Sequence, residues 1–222
     1  MADNKCEDCS HDDTVDIPDD HPAKGLGDDY DPNVMKEKFD EWSKTYDQDI
    51  EKWNYNGPKR VAESMSKIIP DKSATILDLG CCTGLVGEEL SKVGFHNVDG
   101  VDISDECIKL AKGKNIYRNI LNEDLSPDKT LSFGTGSYDA VILVGAGMFL
   151  DIHGMKEWLR ITKTDGYTVI GVMESETTSD SVKPVVDEYL SQGLMEKVHE
   201  DIVEDYFQGK SGSIVYFRPS RK

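Results

Sequence analysis

Ile76-Leu77-Asp78-Leu79-Gly80-Cys81-Cys82-Thr83-Gly84-Leu85-Val86-Gly87 reads as a strand, a glycine-rich turn and the start of a helix. The apolar run predicts a buried strand over Ala74–Leu79 and a helix over Leu85–Lys92. Gly80 permits the tight turn and lets a ligand approach the backbone, and Gly84 relieves crowding as the chain enters the helix. The helix start leaves free N–H groups aimed at the crevice beyond the strand.

Outward from this turn, strands and helices alternate. Strands are expected at Asn97–Val101, Ile116–Leu121, Tyr138–Val144 and Tyr167–Met173, with closing strands at Lys197–Val203 and Ser213–Arg218. Helices are expected after Ser104, a good N-cap followed by Asp105 and Glu106, and over Gly154–Ile161 and Val182–Leu190. Asp139 and Asp165-Gly166 read as strand-entry and turn residues. The fold class is α/β: a Rossmann-like, mainly parallel sheet of about seven strands, helices on both faces, the last strand antiparallel. Before it, Met35, Phe39, Trp42, Tyr46 and Ile50 recur at spacings of three and four, which predicts one amphipathic helix. Gly57-Pro58 opens a further helix that Pro70 ends.

Residues 1–31 are set apart, and residues 32–222 form the single domain. Eleven acids against Lys5 and Lys24 give the first segment a charge of −9, half of the chain's −18. With few large apolar residues it is expected to be a disordered acidic tail. The net charge of −18 disfavours phosphate backbones and anionic membranes, so neither nucleic acid nor membrane is expected as a partner. The longest apolar run, near Ala140–Gly147, is too short to span a bilayer. Five cysteines, two of them adjacent inside the turn, do not form a disulfide framework. With no secretory or transit pattern, a reducing cytoplasmic setting is expected. Cys6 and Cys9 with His11 and His21 have zinc-like spacing but lack a second ligand pair, so no metal is expected.

The turn selects among ligands. A dinucleotide enzyme wants glycine where this chain has Cys82, and Asp78 is unfavourable beside a pyrophosphate. S-adenosylmethionine carries no phosphate, and a carboxylate at Asp78 suits its cationic amino-acid end. Asp102 lies 24 residues after Asp78, near the roughly 20-residue spacing of a ribose-binding acid. Its carboxylate can accept bonds from both ribose hydroxyls, with Ile103 packing on adenine. A nicotinamide-dependent reductase is the disfavoured alternative.

Asp78-x-Gly80-x-x-x-Gly84 followed by Gly100-x-Asp102-x-Ser104 resembles the first two motifs of class I S-adenosylmethionine-dependent methyltransferases. Asn122-Glu123-Asp124-Leu125 resembles their third-strand motif, which implies that Asp124 reaches the adenine amino group and the Leu125 N–H a ring nitrogen. Tyr138–Ala146 resembles their fourth strand, which implies that Val144 and Gly145 lie beside the methionine part. Phe39–Asp47 resembles a motif of small-molecule methyltransferases, which implies that Tyr46 lies over the cofactor; together with Asn54–Pro58 it is similar to the Williams–Beuren-syndrome-region methyltransferase-like proteins. Trp53 and Tyr55 are candidates for a lid or equally for core packing. Cofactor contacts are accordingly expected from Tyr46, Asp78, Gly80, Cys81, Cys82, Gly84, Asp102, Ile103, Asp124, Leu125, Val144 and Gly145, with S-adenosylhomocysteine as product.

Methyl transfer from a sulfonium is an in-line displacement, so a base is needed only if the acceptor loses a proton. His153 is the candidate base, and Glu174 a candidate for holding a cationic acceptor. The family's histidine segment departs here to Gly147-Met148-Phe149-Leu150-Asp151-Ile152-His153. A small-molecule acceptor is expected; a non-catalytic, cofactor-binding partner subunit is the alternative.

Overall fold

The computed structural model describes residues 21–24, 26, 31–145, 152–173 and 176–220. Cys6, Cys9 and His11, with their zinc-like spacing, the segment 146–151 and Glu174 lie outside the described residues.

Three helices come first: α1 (Pro32–Trp42), α2 (Tyr46–Lys52) and α3 (Gly57–Ile68). Pro32 sits at the start of α1, and the Asp31 carboxylate caps it by accepting from the Asn33 N–H at 2.8 Å. The single amphipathic helix expected over Met35–Ile50 is therefore two. The apolar spacing survives the break at residues 43–45, so periodicity alone could not reveal it. Pro58 occupies the first turn of α3, where its missing N–H costs nothing. Strands β1 (Ile76–Leu79), β2 (Val98–Asp102), β3 (Ile120–Asn122) and β4 (Tyr138–Val144) alternate with α4 (Leu85–Lys92) and α5 (Asp105–Gly113). Then come α6 (Met155–Ile161), β5 (Thr162–Met173), α7 (Glu176–Ser191), β6 (Met195–Phe207) and β7 (Lys210–Pro219).

The seven strands lie in the order β3-β2-β1-β4-β5-β7-β6. β1 to β5 run parallel, and β7 is antiparallel to both neighbours. Strand alternation sends side chains to two layers. Ile76, Ala140 and Ile142 pack with Val61 and Met65 of α3 and Leu90 of α4. Leu77, Leu79, Val141 and Leu143 pack with Trp158 of α6 and Val182 and Val185 of α7. Each fully buried side chain of this kind contributes about 1.5–3 kcal/mol.

Two expected elements shift for a physical reason. β3 starts at Ile120 rather than Ile116, because Tyr117 and Arg118 turn inward to bond Asp78 and Asp99. The turn expected at Asp165-Gly166 is a bulge inside β5: the register passes from Tyr138↔Thr162 to Ala140↔Tyr167. The chain leaves β1 toward β2 on one side and returns to β4 on the other. Their carboxyl ends flank the reversal, where open α/β sheets take ligands.

Candidate functional site

The turn after β1 is pinned to β2, since the N–H groups of Gly80 and Cys81 both donate to the Val101 carbonyl, at 2.9 and 3.0 Å. Cys82 adopts a left-handed backbone with φ 46°. That conformation costs a side-chain-bearing residue about 1 kcal/mol and favours the glycine expected there. Gly84 follows at φ 96° and serves as the N-cap position of α4.

Three acids from the sequence motifs have different surroundings. Asp78, 1 % exposed, accepts from the Tyr117 hydroxyl at 2.6 Å. Burial pushes its carboxyl up to about 7; the Tyr117 bond opposes the shift and the nearby Asp102 charge adds to it. Asp102, 7 % exposed, accepts from the Cys82 N–H at 2.8 Å and the Ser104 N–H at 2.9 Å, one bond on each oxygen. Burial raises it too, against these backbone bonds. Each oxygen keeps a further lone pair for a hydroxyl. Asp124, after β3, is engaged locally: one oxygen accepts from the Ser126 N–H at 2.9 Å and its hydroxyl at 2.5 Å. Leu125 is buried in the α6–α7 layer, and Ile103 is half-buried, its carbonyl accepting from the Asn122 side chain.

Tyr117 is the residue that sequence reasoning missed. It read only as a strand position, yet its ring lies under the turn, and a Cβ on Gly87 would meet it at 2.5 Å. Its hydroxyl also accepts from the Gly87 N–H at 3.2 Å. No motif spacing signals this; the glycines at positions 84 and 87, against which the ring lies, are its trace.

The N-terminal helices are fastened over the turn. Asp40 of α1 accepts from the Ser104 hydroxyl at 2.6 Å and the Glu106 N–H at 3.2 Å, so it shares the capping of α5. Asp47 of α2 accepts from the Thr83 hydroxyl at 2.5 Å and from Lys114 at 2.9 Å. Tyr46 stacks edge-on to Trp42, 4.7 Å between centroids, and its hydroxyl meets the Cys82 side chain. Burial first, then Cys82, holds that phenol well above its ordinary range. His21, Ala23 and Leu26 pack on this layer, with His21 bonded to Asp49 at 3.1 Å, so the boundary drawn at residue 31 does not separate packed from unpacked chain.

On the other side Tyr55 reaches the end of β4. A Cβ on Gly145 would lie 2.1 Å from its hydroxyl, so only glycine leaves room. The Tyr55 hydroxyl faces the Tyr206 hydroxyl at 3.4 Å, and burial keeps both phenols protonated. The β6–β7 hairpin clamps this loop: Asn56 N–H donates to the Tyr206 carbonyl, and Asp205 accepts from Asn54 and Asn56. Val144 and Gly145 are half-buried beside it.

The structure thus brings Tyr46, Asp78, Gly80, Cys81, Cys82, Gly84 and Asp102 around one turn, with Val144 and Gly145 at the adjacent strand end. His153 stands apart from this group. It is exposed in a short turn, Ile152–Gly154, and its carbonyl accepts from Tyr189 of α7 at 3.2 Å. Among the described residues no cluster of three or more potential ligands could hold a metal ion, and no helix is long and apolar enough to cross a membrane.

Comparison with known proteins adds the following. A family described as a methyltransferase domain matches residues 77–170. Human methyltransferase-like protein 27 is 34% identical over 110 residues, 49% of this chain and 44% of that protein. The 18S rRNA (guanine(1575)-N(7))-methyltransferase of Saccharomyces cerevisiae is 29% identical over 110 residues, 46% and 39% of the two chains. The ubiquinone biosynthesis O-methyltransferase of Xylella fastidiosa is 32% identical over 95 residues, 35% and 38%. The chain therefore spans about two fifths of the length of these relatives. Among solved structures, a chain from the complex between the Haloferax volcanii Trm112 methyltransferase activator and a methyltransferase superposes with a TM-score of 0.66 at 18% identity, covering 85% of this chain and 99% of its own. Magnesium protoporphyrin IX methyltransferase from Synechocystis, with bound S-adenosylhomocysteine, gives 0.62 at 15% identity, again covering 85% and 99%. At such identities these two share the fold.

Proposed function

We propose that this chain, which matches a methyltransferase-domain family over residues 77–170 and resembles human methyltransferase-like protein 27, is a class I enzyme that moves a methyl group from S-adenosylmethionine to a small-molecule acceptor. The observation that carries this reading is the pair Asp78 and Asp102. Both are buried at the carboxyl ends of adjacent strands, on either side of the glycine turn, with no lysine or arginine bonded to either among the described residues. Buried carboxylates without a cation are costly unless a ligand completes them.

The donor set fits the cofactor. Asp78 suits its ammonium group, and the free lone pairs of Asp102 suit the two ribose hydroxyls. Ile103, Asp124 and Leu125 take the adenine, and Val144 and Gly145 the amino-acid chain. Gly80, Cys81, Cys82 and Gly84 present backbone, while Tyr46 covers the turn. When bound, the sulfonium supplies an electrophilic methyl group for in-line displacement. The protein's own part is alignment and the exclusion of water, with the α1–α2 layer latched through Asp40 and Asp47. His153, apart from the turn residues, would serve as base only for an acceptor that extends to the Ile152–Gly154 turn and must lose a proton.

A small acceptor is favoured by the net charge of −18, which repels phosphate backbones. The ubiquinone biosynthesis relative is named for a small-molecule pathway; the 18S rRNA relative is named for RNA. The deciding experiment has two stages. Saturating S-adenosylmethionine or S-adenosylhomocysteine, at about 100 times its dissociation constant, should stabilise the native state by about 2.7 kcal/mol. At roughly 2–4 °C per kcal/mol that exceeds about 5 °C, and NADH should give nothing. Methyl-labelled cofactor is then incubated with separate metabolite, RNA and protein fractions. Label in the metabolites supports the proposal; label only in RNA or protein overturns the small-molecule acceptor. Binding without transfer to any fraction favours a non-catalytic partner subunit.

A further inference from the structure

The turn after β1 holds two cysteines that face different ways. The Cys81 sulfur packs under Gly100 of β2. The Cys82 sulfur points instead at α5, where it lies 3.4 Å from the sulfur of Cys107. Both thiols are free and buried, at 8 % and 0 % exposure. Cys82 holds this position from a left-handed backbone that favours glycine. Cys107 lies in the first turn of α5, its N–H held by the Ser104 hydroxyl at 3.1 Å and its sulfur against the Phe39 carbonyl at 3.6 Å.

We propose that Cys82 and Cys107 form a peroxide-sensitive dithiol, and that their oxidation to a disulfide weakens cofactor binding by pulling the turn toward α5. A disulfide needs sulfurs about 2 Å apart, so closing the pair draws these elements together by little more than an ångström. The turn cannot follow freely. The Cys82 N–H is bonded to Asp102, its side chain meets the Tyr46 hydroxyl, and the next residue, Thr83, is latched to Asp47. The displacement therefore acts on the ribose-binding acid and on the covering helices at once.

The chemistry balances with hydrogen peroxide as oxidant. Cys82, the more exposed of the two, attacks the O–O bond; its sulfur gains one oxygen as a sulfenic acid, and the other oxygen leaves as water with the thiol proton. The Cys107 sulfur then attacks the sulfenic sulfur and expels a second water. One peroxide and two thiols give one disulfide and two waters, and a dithiol reductant reverses the change. Burial raises the Cys82 thiol well above its ordinary range, so the first step is slow while α1 and α2 cover the turn. Bound S-adenosylhomocysteine should slow it further.

The effect on affinity rests on assigning this turn to the cofactor; formation of the bond does not. The test uses the full-length chain carrying Cys6→Ser and Cys9→Ser, so that only the three internal thiols remain. After peroxide treatment, peptide mapping without reductant should find Cys82 joined to Cys107. Calorimetry with S-adenosylhomocysteine should find affinity lowered by at least about fivefold and restored by dithiothreitol. Cys107→Ser keeps a donor toward the Phe39 carbonyl; it should bind like the parent and lose peroxide sensitivity. If that variant does not fold, Cys82→Gly, which suits the backbone there, replaces it in the mapping. Irreversible oxidation of single thiols, a link through Cys81, or a Cys82–Cys107 link with unchanged affinity would each overturn the proposal. A reduced parent that forms the link yet binds no S-adenosylhomocysteine would refute the cofactor assignment and leave the dithiol standing.

Discussion

Strand β2 carries a buried aspartate near each end, and the two are treated in opposite ways. At its amino end Asp99, 6 % exposed, receives the Arg118 guanidinium in two bonds, at 2.5 and 3.2 Å. Asn119 and the Tyr138 hydroxyl complete the set at 3.0 Å each. At its carboxyl end Asp102 has two backbone N–H groups, and its neighbour Asp78 has one phenol. A charge matched by a cation within the fold is structural, and its cost is met on folding. A charge left to neutral donors is, under the proposed function, completed by the cofactor. Among the described buried aspartates, the two without a cation, Asp78 and Asp102, lie where the strands open onto the crevice.

The comparison is most directly broken at Asp102. Asp102→Ala should weaken S-adenosylhomocysteine about 100-fold, or roughly 2.7 kcal/mol, by calorimetry, while thermal stability without ligand changes little; unchanged affinity would mean that the two ends of β2 do not differ in role. The mirror experiment is Arg118→Ala. Stripping Asp99 of its cation should cost about 1.5–3 kcal/mol of stability, seen as a lower melting temperature with cofactor affinity retained. Next comes Asp78→Asn. The native carboxyl titrates near 7, well above its ordinary value of 3.8. Between these values the folded state binds more protons than the unfolded one, so this group's contribution falls as pH rises. Asp78→Asn should therefore be more stable than the parent by about 1–2 kcal/mol at pH 8, with the gain fading toward pH 4. In the parent, cofactor affinity should drop below pH 7 as the carboxylate takes up its proton, and a pH-independent affinity would remove Asp78 from the ammonium site. The smallest effect belongs to Cys82→Gly, which should raise the midpoint of urea unfolding by about 0.5–1 kcal/mol of stability.

How far the sequence could be read follows from the range of the forces involved. The limits of α4 and β4 stand where the apolar pattern put them, because both elements bury the residues that mark them. The seven-stranded sheet with its antiparallel last strand follows from the βα rhythm, and the two glycine motifs lie within the stretch 77–170 that matches a methyltransferase-domain family. The division of the first helix at Ser43–Thr45 was illegible, since the three-and-four spacing continues across the break. So was the early loss of β3 pairing, which depends on Tyr117 and Arg118 finding acids 39 and 19 residues away. For the candidate site, the sequence named the acids but not their company. Tyr117 comes from the loop before β3, Cys107 from α5 and Tyr206 from β6, and nothing local announces that they meet the turn and the end of β4.

The order of strands in the sheet has a consequence for biosynthesis. β7 lies between β5 and β6, so β6 cannot join the sheet until the segment after it has been translated. The Tyr55 loop, near the start of the domain, is held by Tyr206 and Asp205 of β6. One wall of the crevice is therefore finished after the rest of the sheet, although the Tyr55 loop precedes every strand in the chain. A nascent chain halted before Lys210 should already protect the amides of β1 and β4 from exchange while leaving those of Tyr55 and Asn56 open, so that this wall of the crevice waits for the β6–β7 hairpin.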